Sequence, residues 1–302
     1  MRNSDYTFVD GKFILNDYDT KKTFYSFLPG IAGIYGIPIW SFYLNRGQGL
    51  SSFGIKSKGS PIMEFLPAII ANEKINTQGF RTFLKIGNEV FEPFAVVEDR
   101  KGLTRQMSVS RSSFSVLEKN EIGGYEIEVT YCVLPMESVG GLIRNVRIKN
   151  LRQADVKMEV CDGTTIILPY GMTNMEYETS GNLLRSWAET SFVDDKILFT
   201  KQRASTIDGS EITLFDQGNF YYSEADGKTI KPIGDIDLVF GYDKSLKIPF
   251  GFKKHGVGLT IQPQIFANKI SCGFTVYRVE LQSGGESVIN TLIGNASSSV
   301  AL

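Results

Sequence analysis

Period-two alternation of apolar and polar residues is the feature that most narrows the fold of this chain. Tyr125, Ile127, Val129, Tyr131 and Val133 fall on one side of an extended segment, and Glu126, Glu128, Thr130 and Cys132 on the other. Leu142, Arg144, Val146 and Ile148 lie opposite Ile143, Asn145, Arg147 and Lys149 in the same way. Val156, Met158 and Val160 alternate with Lys157 and Glu159, and Phe274, Val276 and Arg278 with Thr275, Tyr277 and Val279. Such runs form sheets with one packed and one wetter face. Shorter β-rich runs occur at 37–44, 80–86, 196–201, 212–215 and 219–223, and 276–294 reads as strand, turn, strand. Turn dipeptides punctuate them: Asp10-Gly11, Gly87-Asn88, Gly123-Gly124, Ser180-Gly181, Asp208-Gly209, Asp226-Gly227 and Gly284-Gly285. Strands at this density indicate an all-β chain, a large sandwich or barrel. One short helical turn is expected at 67–73, and 230–256, rich in Pro, Gly and Lys, reads as loop. No fixed-period repeat supports a propeller, and no low-complexity linker divides the chain.

With 302 residues the chain is long enough for a sizeable core. Lys+Arg is 32 and Asp+Glu is 33, a net charge of −1 that gives no global pull towards nucleic acid or an anionic membrane. The aromatic residues are not interleaved with a basic stripe, which also argues against nucleic acid. The uncharged stretch 27–44 has the length of a short membrane helix. Its two prolines, Pro29 and Pro38, and three glycines, Gly30, Gly33 and Gly36, make it a buried loop followed by a strand instead. The N-terminus has no apolar secretory segment. Three scattered cysteines, Cys132, Cys161 and Cys272, form no CxxC motif and fit a reduced, cytoplasmic compartment.

The reactive groups are sparse. The single histidine, His255, sits in Lys253-Lys254-His255-Gly256, an exposed-looking turn, which excludes His-rich metal sites. The GxxGxxG spacing at Gly30, Gly33 and Gly36 is not a nucleotide fingerprint, and there is no P-loop or GxSxG elbow. The acid pairs Asp17/Asp19, Glu98/Asp99, Asp194/Asp195 and Asp235/Asp237 read as solvated loop acids rather than a glycosidase pair or a calcium loop. The most unusual chemistry runs from Trp40 to Gly49, where aromatic residues end a strand and Asn45, Arg46 and Gln48 cluster at the following turn. Rings stack on apolar sugar faces, and amides and guanidinium groups bond vicinal hydroxyls. Trp40, Tyr43, Asn45, Arg46, Gln48 and Arg81 are therefore the candidate carbohydrate-binding residues, with Arg46 offering a fixed fork of donors. The alternative is a buried aromatic strand whose turn amides satisfy backbone groups. Tyr170, Trp187, Phe220, Tyr221 and Tyr222 are further aromatic contacts or core.

The segments Phe27-Leu28-Pro29-Gly30-Ile31-Ala32-Gly33, Gly36-Ile37-Pro38-Ile39-Trp40 and Asn45-Arg46-Gly47-Gln48-Gly49-Leu50-Ser51-Ser52-Phe53-Gly54 resemble the N-terminal region of family-94 glycoside phosphorylases. The group it most resembles is that of the 1,2-β-oligoglucan phosphorylases, relatives of cellobiose phosphorylase. Segments 62–68, 78–83, 162–171 and 217–222 extend the likeness in order over nearly the whole chain. The resemblance implies a two-sheet antiparallel β-sandwich of the galactose-mutarotase-like kind, one N-terminal domain over 1–302, lacking the (α/α)6 barrel that carries the family's general acid and phosphate-binding residues. It implies inverting phosphorolysis of β-1,2-oligoglucan to α-glucose 1-phosphate by the full enzyme, with inorganic phosphate as substrate and no cofactor or metal. No catalytic residue is carried over, and the chain alone is expected to be inactive. The implied partners are a β-glucan oligosaccharide, a catalytic barrel in cis or as a separate chain, and a second copy in a homodimer, with no nucleic acid or membrane. The strand–turn–strand pattern stops shortly before Leu302, as a frayed end or a domain boundary would. An independent carbohydrate-binding module and a ligand-free assembly domain are the alternative functions.

Overall fold

A computed structural model describes residues 6–28, 30–32, 37–135, 137–206 and 210–302; of 30–32 only the backbone is described. Three antiparallel sheets account for most of it. The largest has eleven strands. Its path runs Thr7–Val9, Lys12–Asn16, Leu103–Val109, Ser113–Asn120, Tyr125–Val133, Gly140–Asn150, Glu286–Ala296, Gly218–Ala225, Ile197–Gln202 and Ala188–Val193, and Lys228–Thr229 adds to Gly218–Ala225. A four-stranded sheet has the order Ser271–Leu281, Val156–Ile167, Phe80–Ile86, Glu89–Phe91. A five-stranded sheet has the order Tyr25–Phe27, Ile37–Leu44, Leu50–Ile55, Pro61–Met63, with Gly30–Ala32 also on Ile37–Leu44.

The two smaller sheets pack against the large one. One core is fed by all three: Val116, Ile127, Val129 and Val146 from the large sheet, Leu84, Met158 and Val160 from the four-stranded sheet, and Phe53 and Ile62 from the five-stranded sheet. The alternation therefore reads as expected. Tyr125, Ile127, Val129 and Tyr131 face inward, as do Leu142, Val146 and Ile148. The fold is an all-β sandwich.

Arg144 occupies an inward position in this apolar register and is completely buried. A charge there is tolerable only if it is paired and fully hydrogen-bonded. Asp162 of the four-stranded sheet is equally buried and takes both ends of the guanidinium: Nη2 reaches Oδ1 at 2.9 Å, and Nη1 bonds Oδ2. Nη2 also donates to Gln48 Oε1 at 2.5 Å, and Nε donates to Tyr131 Oη at 3.2 Å. Thr82 Oγ1 donates to Asp162 Oδ1 at 2.6 Å and accepts from Gln48 Nε2 at 2.9 Å. Phe80 lies under the guanidinium, 4.7 Å from ring centroid to Cζ. Burial pulls the Arg144 pKa down, but Asp162 and Tyr131 outweigh it and the group stays charged. Burial pushes the Tyr131 phenol up to about 12 despite the Arg144 charge beside it.

Helices fill the positions where sequence patterning is weakest. Helix α1, Ala68–Gln78, is longer than the turn expected at 67–73 and buries Ala71 and Ile75 against Leu44 and Leu66. Helix α2, Asn174–Leu184, contains the Ser180-Gly181 pair that reads as a turn in the sequence. Its start is a capping box: Thr173 Oγ1 accepts from the Glu176 N–H at 3.2 Å, and Glu176 Oε2 accepts from the Thr173 N–H at 2.8 Å. The 230–256 segment is not a loop. It forms helix α3, Ile236–Phe240, and helix α4, Phe250–His255, followed by a 3-10 turn at Gly256–Ile261. Gly251 lets the two short helices touch, since a Cβ there would lie 1.8 Å from the Leu238 carbonyl oxygen. Val239, Phe240, Phe252 and Leu259 of this insert pack on Phe83, Cys161, Phe274 and Val276, covering the outer face of the four-stranded sheet. That is why 271–277 is buried on both faces.

Two further readings change with the structure. In the 27–44 stretch the expected strand is present at Ile37–Leu44, but what precedes it includes Gly30–Ala32 and the end of Tyr25–Phe27 as strands rather than loop alone, and Phe27 is exposed. The 212–215 run forms no strand, only an isolated bridge from Leu214 to Ala204. Asp194 and Asp195 are exposed loop acids as expected; both adopt left-handed φ, 50° and 58°, and turn the chain between Ala188–Val193 and Ile197–Gln202. The end of the chain carries a 3-10 turn at Ser299–Ala301. Pro29, Gly33, Gly36 and the Asp208-Gly209 turn lie outside the described residues. Among those described, no helix is long and apolar enough to cross a membrane.

Removing one partner of the buried ion pair leaves an uncompensated charge, so Asp162→Ala should cost about 3–5 kcal/mol in denaturant unfolding. Arg144→Met combined with Asp162→Leu should recover most of that loss. A single-variant cost no larger than that of an exposed substitution would show that the pair does not hold the sheets.

Candidate functional site

The six residues expected to contact sugar do not share one open surface. Tyr43 is core, stacked on Phe114 with centroids 4.6 Å apart. Asn45 is buried and braces a loop: Nδ2 donates to the Tyr18 and Lys22 carbonyls at 2.8 and 3.1 Å, and Oδ1 accepts from the Phe24 N–H at 2.9 Å. Gln48 belongs to the Arg144 network described above. Arg81 is buried between Phe83 and Phe240, at 4.8 and 5.2 Å, and forks onto Glu92 at 2.6 and 2.8 Å. It also donates to the Leu246 and Lys247 carbonyls, tying the insert to the four-stranded sheet. Trp40 is half-buried against Phe42 and Phe65, and its Nε1 donates to the Ser57 carbonyl at 2.7 Å. Arg46, also half-buried, donates to the Asn45 and Lys21 carbonyls at 2.6 and 2.9 Å. The polar groups of the other five, Trp40, Asn45, Arg46, Gln48 and Arg81, thus bond within the chain.

The pairs Asp17/Asp19 and Asp235/Asp237 are structural as well. Asp19 binds Arg100 and Arg105, each at 2.7 Å. Burial raises the Asp19 pKa, but those two guanidinium groups outweigh it and hold the carboxyl below its ordinary value. Asp235 caps α3 and shares Lys269 with Asp237, at 2.7 and 3.0 Å. His255 is exposed at the end of α4. Phe220 and Tyr221 are core, while Trp187 is exposed. No group of acidic, Cys or His side chains among the described residues is arranged to hold a metal.

Open space lies elsewhere, along one flank formed by α1, α2 and the insert. A cleft of about 350 Å³ is walled by Glu64, Lys74, Tyr177, Glu178 and Arg185. It continues past Tyr177 and Arg185 into a cleft of about 450 Å³ lined by Thr165, Ile166, Gln78 and Ile270. That one in turn shares Asp237, Lys244 and Lys269 with a groove of about 990 Å³ between α3, α4 and the following turn. The groove is rimmed by Tyr242, Phe250 and Ile265. Its 243–248 wall is fixed by Asp243, which accepts from Ser245 Oγ at 2.6 Å and from the Lys247 and Ile248 N–H groups at 2.9 Å each. The Ser245 hydroxyl and these amides lower the Asp243 pKa to about 2.

Two buried polar atoms in the smaller clefts have no hydrogen-bond partner among the described residues, Glu64 Oε2 and Thr165 Oγ1. Their residues are only 7% and 6% exposed. Burial holds the Glu64 carboxyl above its ordinary value; Lys74, 3.9 Å away, offsets this in part, and Glu178 adds to it. Burial, with Glu64 nearby, pushes the Tyr177 phenol up to about 12, against the pull of Arg185. Sequence reading passed over these residues, although Glu64 lies inside one of the segments that carry the family likeness. A Thr-x-x-Glu capping signal at 173–176 was the available pointer to α2, the helix that builds the site.

No protein-family model matches the chain, and no curated protein does. Among solved structures it is similar to a polysaccharide lyase, with 11% identity, TM-score 0.47, and coverage of 87% of this chain and 33% of that one. It is similar to a putative kojibiose phosphorylase from the human microbiome, with 11% identity, TM-score 0.38, and coverage of 95% and 29%. It is also similar to a putative aldose 1-epimerase from Klebsiella pneumoniae, with 8% identity, TM-score 0.40, and coverage of 96% and 89%. The chain thus spans about a third of the lyase and phosphorylase structures. Similarity at this level assigns no activity to the chain.

Glu64 gives a pH prediction. Its folded pKa is raised, so its stabilising contribution is complete below the ordinary value of 4.5 and is lost as pH rises through the folded value. Glu64→Gln cannot ionise. It should be more stable than the parent at neutral pH, with the difference closing below pH 4.5 in denaturant unfolding. A difference that does not change with pH would contradict this.

Proposed function

We propose that the chain is a non-catalytic, carbohydrate-associated sandwich domain of a β-glucan phosphorylase. In this reading it packs on a catalytic barrel, in cis or as a separate chain, shapes that barrel's cleft and supports a homodimer. The full enzyme would perform inverting phosphorolysis of β-1,2-oligoglucan, consuming phosphate and releasing α-glucose 1-phosphate.

The observation that carries the packing role is the outer face of the insert. Tyr242 is fully exposed, and Phe250 and Ile265, which line the same groove, are exposed as well. Contiguous apolar surface of this kind marks contact with another protein surface. The glucan and phosphorylase parts of the reading rest on the ordered family likeness from 27 to 222. The non-catalytic part of the reading is supported by Asp19, Asp194, Asp195 and Asp235, which serve as an arginine partner, a hairpin turn and a helix cap. The free thiols of Cys132, Cys161 and Cys272 fit a reducing, cytoplasmic setting.

Two measurements test this. Purified chain given β-1,2-glucan and phosphate should release no α-glucose 1-phosphate, and phosphate-dependent turnover by the chain alone would overturn the non-catalytic role. The triple variant Tyr242→Ser, Phe250→Ser, Ile265→Ser should keep the parent's unfolding midpoint. It should also lose association with a family-94 catalytic barrel, or with a second copy, in sedimentation. Association unchanged by the triple variant would remove the insert face from the proposal.

A further inference from the structure

We infer that the cleft between α1, α2 and the end of the Val156–Ile167 strand binds a neutral polyhydroxylated ligand, one end of an oligosaccharide. The starting point is a pair of buried atoms that make no hydrogen bond among the described residues: Thr165 Oγ1, and Glu64 Oε2, whose nearest cation, Lys74 Nζ, stands 3.9 Å away. Leaving a buried polar atom unpaired is destabilising, and each such atom in a folded protein calls for an explanation, of which a bound group is one. Here the two residues that carry such atoms line adjoining parts of one cleft, joined at Tyr177 and Arg185. The combined space is within the range of sites for small ligands.

The chemistry of the wall selects the class. A cation site would need converging carboxylates, yet no group of three or more among the described residues is arranged for one: Glu178 Oε1 already accepts from Asn174 Nδ2 at 2.8 Å, and Asp237 is bonded to Lys244 and Lys269. An anion site would need free cations, yet those same lysines are engaged and Lys74 faces Glu64. Arg185 is turned to the Gly181 carbonyl at 3.3 Å and to Asn182 Oδ1 at 2.8 Å. What remains is a balanced set: an acceptor at Glu64, a hydroxyl at Thr165 that both donates and accepts, and the Tyr177 phenol, set beside the apolar side chains of Ile166 and Ile270. Alternating donors and acceptors beside a ring and an apolar wall match the hydroxyls and C–H faces of a pyranose. Vicinal hydroxyls supply the donor that Glu64 lacks and either partner for Thr165. The site stands on this geometry; only the choice of β-1,2-linked glucose oligomers as the first probe rests on the function proposed above.

The test is calorimetry of the intact chain with β-1,2-glucobiose and longer β-1,2-oligomers, then cellobiose and maltose. Saturable binding is expected. Thr165→Val should weaken it about fivefold, the loss of one hydrogen bond between neutral groups, and should not lower the unfolding midpoint, because that hydroxyl has no partner in the protein. Glu64→Gln should weaken it about tenfold or more, as for a bond to a charged acceptor. Trp40→Phe should leave affinity unchanged. Binding of cellobiose or maltose but not of β-1,2-oligomers would support the site and count against the proposed glucan. No heat with any of the sugars, or binding that Trp40→Phe abolishes and Thr165→Val leaves intact, would overturn the inference.

Discussion

The buried Arg144–Asp162 pair is the interaction on which the arrangement of this sandwich depends. Its members come from all three sheets: Arg144 and Tyr131 from the eleven-stranded sheet, Asp162 and Thr82 from the four-stranded one, and Gln48 from the turn after Ile37–Leu44. Desolvating a guanidinium is expensive, and only this full set of partners offsets the cost. The pair also discriminates between registers. A one-residue slip of Gly140–Asn150 would turn Arg144 outward and bring Asn145 in, leaving Asp162 without its counter-charge. Apolar side chains alone would penalise such a slip less sharply.

The same network sets out the flank where the clefts lie. Asp162 is three residues before Thr165 on one strand, so fixing the carboxylate fixes the floor of the cleft. Gln48 adjoins Gly47, whose Cα side faces Ile75 and Asn76 of α1, so the turn that feeds the network also seats a wall of that cleft. On the far side of the four-stranded sheet the insert supplies a second, apolar cover. Arg81 joins the two regions by bonding both Glu92 and the 246–247 carbonyls. A polar centre, an apolar outer layer and a partly polar cleft between helices thus share a single four-stranded sheet.

Sequence made the strands legible because their period-two pattern depends only on which face is buried. Ile37–Leu44 and Phe80–Ile86 have the bounds that their β-rich runs suggest. The insert was hidden because helices of five and six residues are too short to show a 3.6-residue period, and their Gly and Pro neighbours imitate a loop. The site was harder still. Arginine and amides after an aromatic strand look like sugar contacts, but Asn45, Gln48 and Arg81 are consumed by loop, network and insert. The informative signal was of the opposite kind: Arg144 stands at an apolar position of a clean alternation, and such a charge requires a buried partner. Glu64 and Thr165 have no comparable local mark, since being unpartnered is a property of tertiary structure alone.

Amide hydrogen exchange of the intact chain, with and without a saturating β-1,2-glucan oligosaccharide, addresses the central claim most directly. The account predicts that added protection falls on 64–78 and 164–185 and on the 243–248 loop beside them, while 40–49 exchanges as before. Protection confined to 40–49, or none anywhere at a sugar concentration that saturates binding, would contradict it.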